Sequence, residues 1–230
     1  MTEPRLILFP GLGADERLYA GQRRAFRNLL TPNYVPPRAN ESIQSYSQRM
    51  AAMVDTGGGP VFVGGLSFGA VVALEAAKHL PNCSGVILIS GAYSYRAIAW
   101  PFRFICHLAR FAPAWVVRVG MPAFPTILRL LERLNDEHTA LYARLAREMP
   151  PELIRWSAAS LIGWEYDGGL RVPVRAIHGA RDLIIPASGI PEDVTIPDGR
   201  HLLSLSHPEA VNRFIADTMR AASARLKPVG

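Results

Sequence analysis

The sequence predicts an α/β architecture: a doubly wound, mostly parallel sheet of about six strands with an inserted helical segment. Three observations point there. Residues 5–9 (RLILF), 60–64 (PVFVG), 85–90 (GVILIS) and 172–178 (VPVRAIH) are short, unbroken apolar runs bounded by Gly or Pro, the pattern of strands covered by helices on both faces. Helical patterns alternate with them, as βα units require. One interval, residues 92–167, breaks that alternation, with helical character and repeated prolines but no strand-like run.

In chain order, residues 5–9 are the first strand and 17–30 a helix. Residues 33–36 are a weak strand candidate, placed near a sheet edge by their flanking prolines. Residues 43–54 follow Ser42, a serviceable N-cap, and read as a helix. The strand at 60–64 runs through a tight turn into a helix at 68–80, and the strand at 85–90 leads into the long helical interval. Residues 172–178 return to the sheet, 193–196 are a second weak edge strand, and Pro208 opens a last helix at 208–226.

The chain has 230 residues, 25.2 kDa and 49% hydrophobic residues, enough to bury a full core, which excludes disorder as its main state. Its 19 Gly and 19 Pro suit a fold with many strand-to-helix turns. The net charge of +6 is thinly spread, with no basic block, so nucleic acid is not expected as a partner. The two cysteines, Cys83 and Cys106, have neither CxxC nor Cys/His ligand spacing, so no disulfide framework and no metal site is expected. The uncharged stretch 56–74 has the length of a membrane span but is broken by six glycines and a proline. The N-terminal sequence carries no secretory pattern, and a cytoplasmic location is the expectation.

Residues 92–131 hold five arginines (96, 103, 110, 118, 129) and no Asp or Glu, among Trp100, Phe102, Phe104, Phe111, Trp115 and Phe124. The leading expectation is a packed helical subdomain whose arginines reach water along their apolar stems. A lipid surface or an anionic substrate is the secondary reading.

The chemistry centres on Gly65-Leu66-Ser67-Phe68-Gly69, a G-x-S-x-G directly after a strand and directly before a helix. A strand turning at once into a helix holds its serine in a strained conformation with Oγ raised above the sheet edge. Side chains two residues to either side would collide, so Gly65 and Gly69 have a steric role. The helix N-terminus aims amides at an oxygen that gains charge. A serine needs a base, and the base an orienting partner. Of six histidines, His79, His107 and His138 sit on helical segments and His207 at a turn, leaving His178 and His201. Asp182 follows the strand that ends at His178, and the order Ser67, Asp182, His201 is nucleophile, acid, base. Asp198 is a rival acid only three residues from His201.

On these motifs the chain resembles the α/β-hydrolase superfamily along nearly its whole length. The resemblance implies Ser67 as nucleophile, His201 as general base and acid, and Asp182 as the orienting carboxylate. It implies that the backbone amides of Leu12, in Phe9-Pro10-Gly11-Leu12-Gly13, and Phe68 form an oxyanion hole. It also implies a hydrolase core at 1–91 and 168–230 that lacks the superfamily's first two strands, and a helical cap at 92–167. Pro10 and Arg200 depart from the family pattern, which commonly has His and Gly there. The expected activity is cleavage of a small or medium, partly apolar carboxylic ester or thioester, without cofactor or metal. C–C bond hydrolysis or acyl thioester hydrolysis by the same triad is the alternative, and a non-catalytic ligand-binding protein the alternative of another class.

Overall fold

The computed structural model describes residues 4–186 and 193–225. The sheet has six strands in the order β2-β1-β3-β4-β5-β6, all pairing in parallel. They are β1 (Arg5–Phe9), β2 (Leu29–Leu30), β3 (Val61–Leu66), β4 (Cys83–Ile89), β5 (Val174–Gly179) and β6 (Val194–Ile196). β1, β3 and β4 are central, and their apolar side chains are almost wholly buried.

The helices α1 (Ala20–Ala25), α2 (Ile43–Ala52), α3 (Phe68–Ala77), α9 (Leu203–Ser206) and α10 (Pro208–Arg225) complete the α/β layers. α2 starts where Ser42 Oγ accepts from Ser45 N at 3.2 Å. All ten residues of α3 are buried, because it lies between the sheet, α2 and the later helical segment. Its one charged residue, Glu75, accepts from Trp164 Nε1 at 2.8 Å and from Lys78 Nζ at 2.9 Å, which is what makes a buried carboxylate tolerable.

Between β4 and β5 lies a helical excursion: α4 (Trp100–Phe111), α5 (Ala114–Gly120), α6 (Phe124–Glu132), α7 (Asp136–Glu148) and α8 (Pro151–Leu161). Its two ends meet in the isolated bridge Ser94–Glu165. Trp156 of α8 packs on Tyr46 of α2, ring centroids 4.2 Å apart, and donates from Nε1 to Glu41 O at 2.9 Å.

Two expectations need correction. Residues 17–30 are not one helix: a short 3-10 turn (Glu16–Tyr19) and α1 end at Ala25, and Leu29–Leu30 pair with Leu6 and Ile7 as β2. Residues 33–36 form no strand. The apolar pair Leu29–Leu30 takes the place beside β1, and within 33–36 Pro36 has no amide to donate. The remaining strands lie within two residues of expectation. The last helix is described as far as Arg225, and residue 226, expected in it from sequence, lies outside the described residues.

Candidate active site

In a parallel α/β sheet the loops that leave the C-terminal strand edge converge, and ligands bind there. Ser67 lies at that edge, between β3 and α3, with φ 57° and ψ −117°, a left-handed backbone that a non-glycine residue adopts only under strain. The pressure comes from its neighbours. A Cβ on Gly65 would lie 2.4 Å from the carbonyl carbon of Gly69, and one on Gly69 would lie 2.0 Å from Phe9 O. The close approach that gives both glycines their steric role is therefore real. Ser67 N donates to Ile89 O at 3.0 Å, pinning the turn to β4.

The loop after β1 lies against this turn: a Cβ on Gly11 would stand 3.9 Å from Ser67 Cβ. Among the described residues, no acceptor takes the amide of Leu12 or Phe68. Two tyrosines hold the loop. Buried Tyr19 donates from its hydroxyl to Phe9 O at 2.7 Å and accepts from Leu66 N at 2.9 Å, bridging the ends of β1 and β3. Tyr34 donates to Pro10 O at 2.6 Å. Burial pushes both hydroxyls well above their ordinary pKa range, so each remains a donor.

Asp182 and His201 come together from the loops after β5 and β6. Asp182 Oδ2 lies 2.7 Å from His201 Nδ1, and Oδ1 accepts from the amides of Ile184 and Ile185, both at 2.8 Å. Arg181 N donates to Gly199 O at 2.9 Å, joining the two loops. His178 does not compete with His201 but lies on the same carboxylate, its Nε2 3.1 Å from Asp182 Oδ2 and 2.6 Å from Ile185 O. A carbonyl only accepts, so His178 Nε2 carries a proton. Burial would push Asp182 up, but the charge of His201 and the hydrogen bonds from His178, His201 and Ile185 outweigh it and hold the carboxyl well below the usual carboxylate range. Burial likewise works against a charged His201, yet Asp182 and then Glu132 raise its pKa above the ordinary imidazole value. With Nδ1 donating to the carboxylate, neutral His201 offers Nε2 as its basic nitrogen. The rival acid, Asp198, is largely exposed and pairs with His207 at 3.3 Å.

Glu132 has no precedent in the sequence reading. It ends α6, is buried, and its Oε2 accepts from Leu202 N at 2.9 Å, one residue beyond His201. Oε1 has no partner among the described residues. Burial raises its pKa against the pull of His201. Arg200 donates from Nη1 to Leu131 O at 2.5 Å. The excursion thus grips the His201 loop on both sides. Glu132 lies 70 residues from Leu202, and Tyr19 47 from Leu66, so no local spacing marks either.

Ser67 lines a small apolar cavity of about 20 Å³ with Phe68, Val71, Tyr95, Ile98 and Leu161, room for about one water. A larger cavity of about 260 Å³ lies on the far side of Pro10 and Tyr34, against α7 and α8. Its rim carries Arg17 bound to Asp15 and Glu148. Among the described residues no cluster of three His, Cys, Asp or Glu is arranged to hold a metal ion.

Solved structures with the same fold include a thermophilic esterase from Thermogutta terrifontis, 21% identical, covering 96% of this chain and 91% of that one at TM-score 0.74. The enol-lactonase from Burkholderia xenovorans LB400 is 18% identical, covering 96% and 92% at 0.73. A bromoperoxidase from Bacillus anthracis is 12% identical, covering 96% and 92% at 0.74. Three differently named enzymes at such low identity share the architecture alone. Among curated proteins, none matches the chain in sequence. The profile described as "Alpha/beta hydrolase family" matches residues 6–214, which takes in the turn at Ser67 and the loops of Asp182 and His201: the chain belongs to the alpha/beta hydrolase family.

Proposed function

We propose that the protein is a serine hydrolase that cleaves a carboxylic ester, or a thioester, through an acyl-enzyme intermediate. The observation that carries this reading is the 2.7 Å contact between His201 Nδ1 and Asp182 Oδ2, which supports His201 Nε2 as the base in a reaction centred on Ser67. In the proposed reaction His201 Nε2 takes the Ser67 Oγ proton as Oγ bonds to the carbonyl carbon. The Leu12 and Phe68 amides, which no acceptor takes among the described residues, receive the oxygen that becomes negative. His201 then returns the proton to the leaving alcohol or thiol, and water, activated by the same nitrogen, releases the acid. No cofactor enters these steps.

The apolar side chains around Ser67 suit a small to medium, partly apolar acyl or alcohol group. Tyr95, Ile98 and Leu161, which line the small cavity at Ser67, set the size of group that reaches Oγ. The test is fluorophosphonate labelling with intact mass and peptide mapping, beside p-nitrophenyl esters from acetate to decanoate and a parallel thioester series. Stoichiometric modification of Ser67 with chain-length-dependent turnover is expected. No labelling and no turnover in folded protein would overturn the reading in favour of a ligand-binding role.

A further inference from the structure

α4 turns its apolar face outward. Trp100, Phe104, Leu108 and Phe111 are 71%, 57%, 55% and 77% exposed, and their spacing of four, four and three residues sets them along one side of a 3.6-residue helix, roughly 17 Å long. The opposite side does the packing, with Cys106 buried and Phe102 and Ala109 against the core. The next two helices continue the pattern: Trp115 and Val119 of α5 and Ile127 and Leu130 of α6 are all exposed. Single exposed apolar residues are ordinary on a protein surface, but a whole helix face is not.

Charge says what covers this face. Between Ala92 and Leu131 there are five arginines and no Asp or Glu. Of these, Arg129 pairs with Asp136, whereas Arg96, Arg103, Arg110 and Arg118 have no ion pair among the described residues. Arg110 lies over the ring of exposed Phe111, 5.5 Å from its centroid. A second copy of this face would set arginine against arginine, with no Asp or Glu between Ala92 and Leu131 to answer them. An anionic bilayer surface supplies negative headgroups beside an apolar layer, the two things this face presents in complement, and Trp100 and Trp115 are the side chains that settle at such a boundary.

We propose that the outward faces of α4, α5 and α6 dock on an anionic lipid bilayer, lying in its surface rather than crossing it. No helix among the described residues is long and apolar enough to span, and α5 and α6, which together reach that composition, are bent by 52°. α4 begins two residues after Ile98, which lines the Ser67 cavity, so the docking helix is tied directly to a wall of that cavity. The proposal does not depend on the serine hydrolase reading, because binding is read without turnover.

The test is flotation of the full chain with phosphatidylcholine vesicles and with vesicles containing about 30% phosphatidylglycerol, at low and high salt. Recovery with the anionic vesicles, falling steeply with salt, is expected, and Ser67→Ala floats equally. The triple variant Phe104→Ser/Phe111→Ser/Trp115→Ser, at exposed positions, is expected to keep its Tm and lose about tenfold or more of the bound fraction, and Arg110→Glu/Arg118→Glu to lose binding to anionic vesicles alone. Absence of flotation on anionic vesicles at low salt overturns the proposal, as does binding that neither variant weakens. Concentration-dependent self-association in sedimentation, abolished by the triple variant in protein that does not float, would assign the face to a second copy instead.

Discussion

Phe62 in β3 and Phe111 in α4 are the same side chain in opposite surroundings, one with no exposed area and the other 77% exposed. β3 sits between two parallel strands with helices on both faces, so every apolar group it carries finds a partner. Among the described residues α4 has a partner on one side only, mainly α8, and its other side is exposed. The sheet and the excursion are built from similar residue types, and the number of neighbouring layers, not composition, decides which of them are covered. The same contrast holds for tolerance: around Ser67 the backbone is packed to contact, and along α4 to α6 it is open.

Substitutions can break or sharpen this contrast. Ser67→Ala should have the largest effect, about 10⁴-fold to 10⁶-fold on ester turnover with Tm unchanged; turnover near wild type would remove Ser67 from the chemistry. Gly69→Ala places a methyl 2.0 Å from Phe9 O and is expected to cost about 4 kcal/mol or more in urea unfolding. At Gly120 in α5, where an added Cβ meets nothing within 4 Å, alanine should be neutral or stabilise by up to about 1 kcal/mol. Equal effects at the two glycines would refute the contrast. Tyr19→Phe strips the partner from both Phe9 O and Leu66 N inside the core. It should cost about 2–3 kcal/mol in unfolding and lower kcat more than it raises KM, since the loop bearing the Leu12 amide loses its tie.

The smaller effects concern pH, where the two regions meet at Glu132. Because His201 is held above the ordinary imidazole value, its favourable contacts contribute fully to stability below that value and are lost as pH rises through its folded pKa. In the proposed reaction activity runs the other way, since the neutral ring is the base there, so the acid limb of kcat/KM should lie above the unperturbed imidazole pKa of about 6.5. Asp182 is held low, so its contribution to stability is complete above the ordinary carboxylate range and lost only as pH falls through its depressed folded pKa. Glu132→Gln keeps an acceptor for Leu202 N while removing a charge that raises His201, and should move the acid limb to lower pH. An unmoved limb would mean that the excursion does not tune His201.

Much of the layout of the candidate site was legible in the sequence because it is local. G-x-S-x-G between a strand and a helix is a steric statement complete within five residues, and Asp182 and His201 lie in loops just after runs that read as strands. The unbroken apolar runs of β1, β3, β4 and β5 announced the parallel sheet for the same reason. What misled was also local: residues 17–30 carry a helical pattern, but Leu29–Leu30 pair with β1, a choice made by an edge that only the assembled sheet presents. The aromatic residues between 100 and 124 were expected inside a packed subdomain. Phe102 and Phe124 do turn inward, while Trp100, Phe104, Phe111 and Trp115 face out.

By itself the sequence determined the fold class, the strained serine turn and the order of the chemical groups, since periodicity and tight-turn sterics act over a few neighbouring residues. The tertiary structure alone decided that His178 and His201 share one carboxylate, that Tyr19 ties β1 to β3, and that Glu132 and Arg200 join α6 to the His201 loop. Those contacts depend on which carbonyls and carboxylates are left unsatisfied once distant segments pack, and burial makes each such vacancy costly enough to fix its partner.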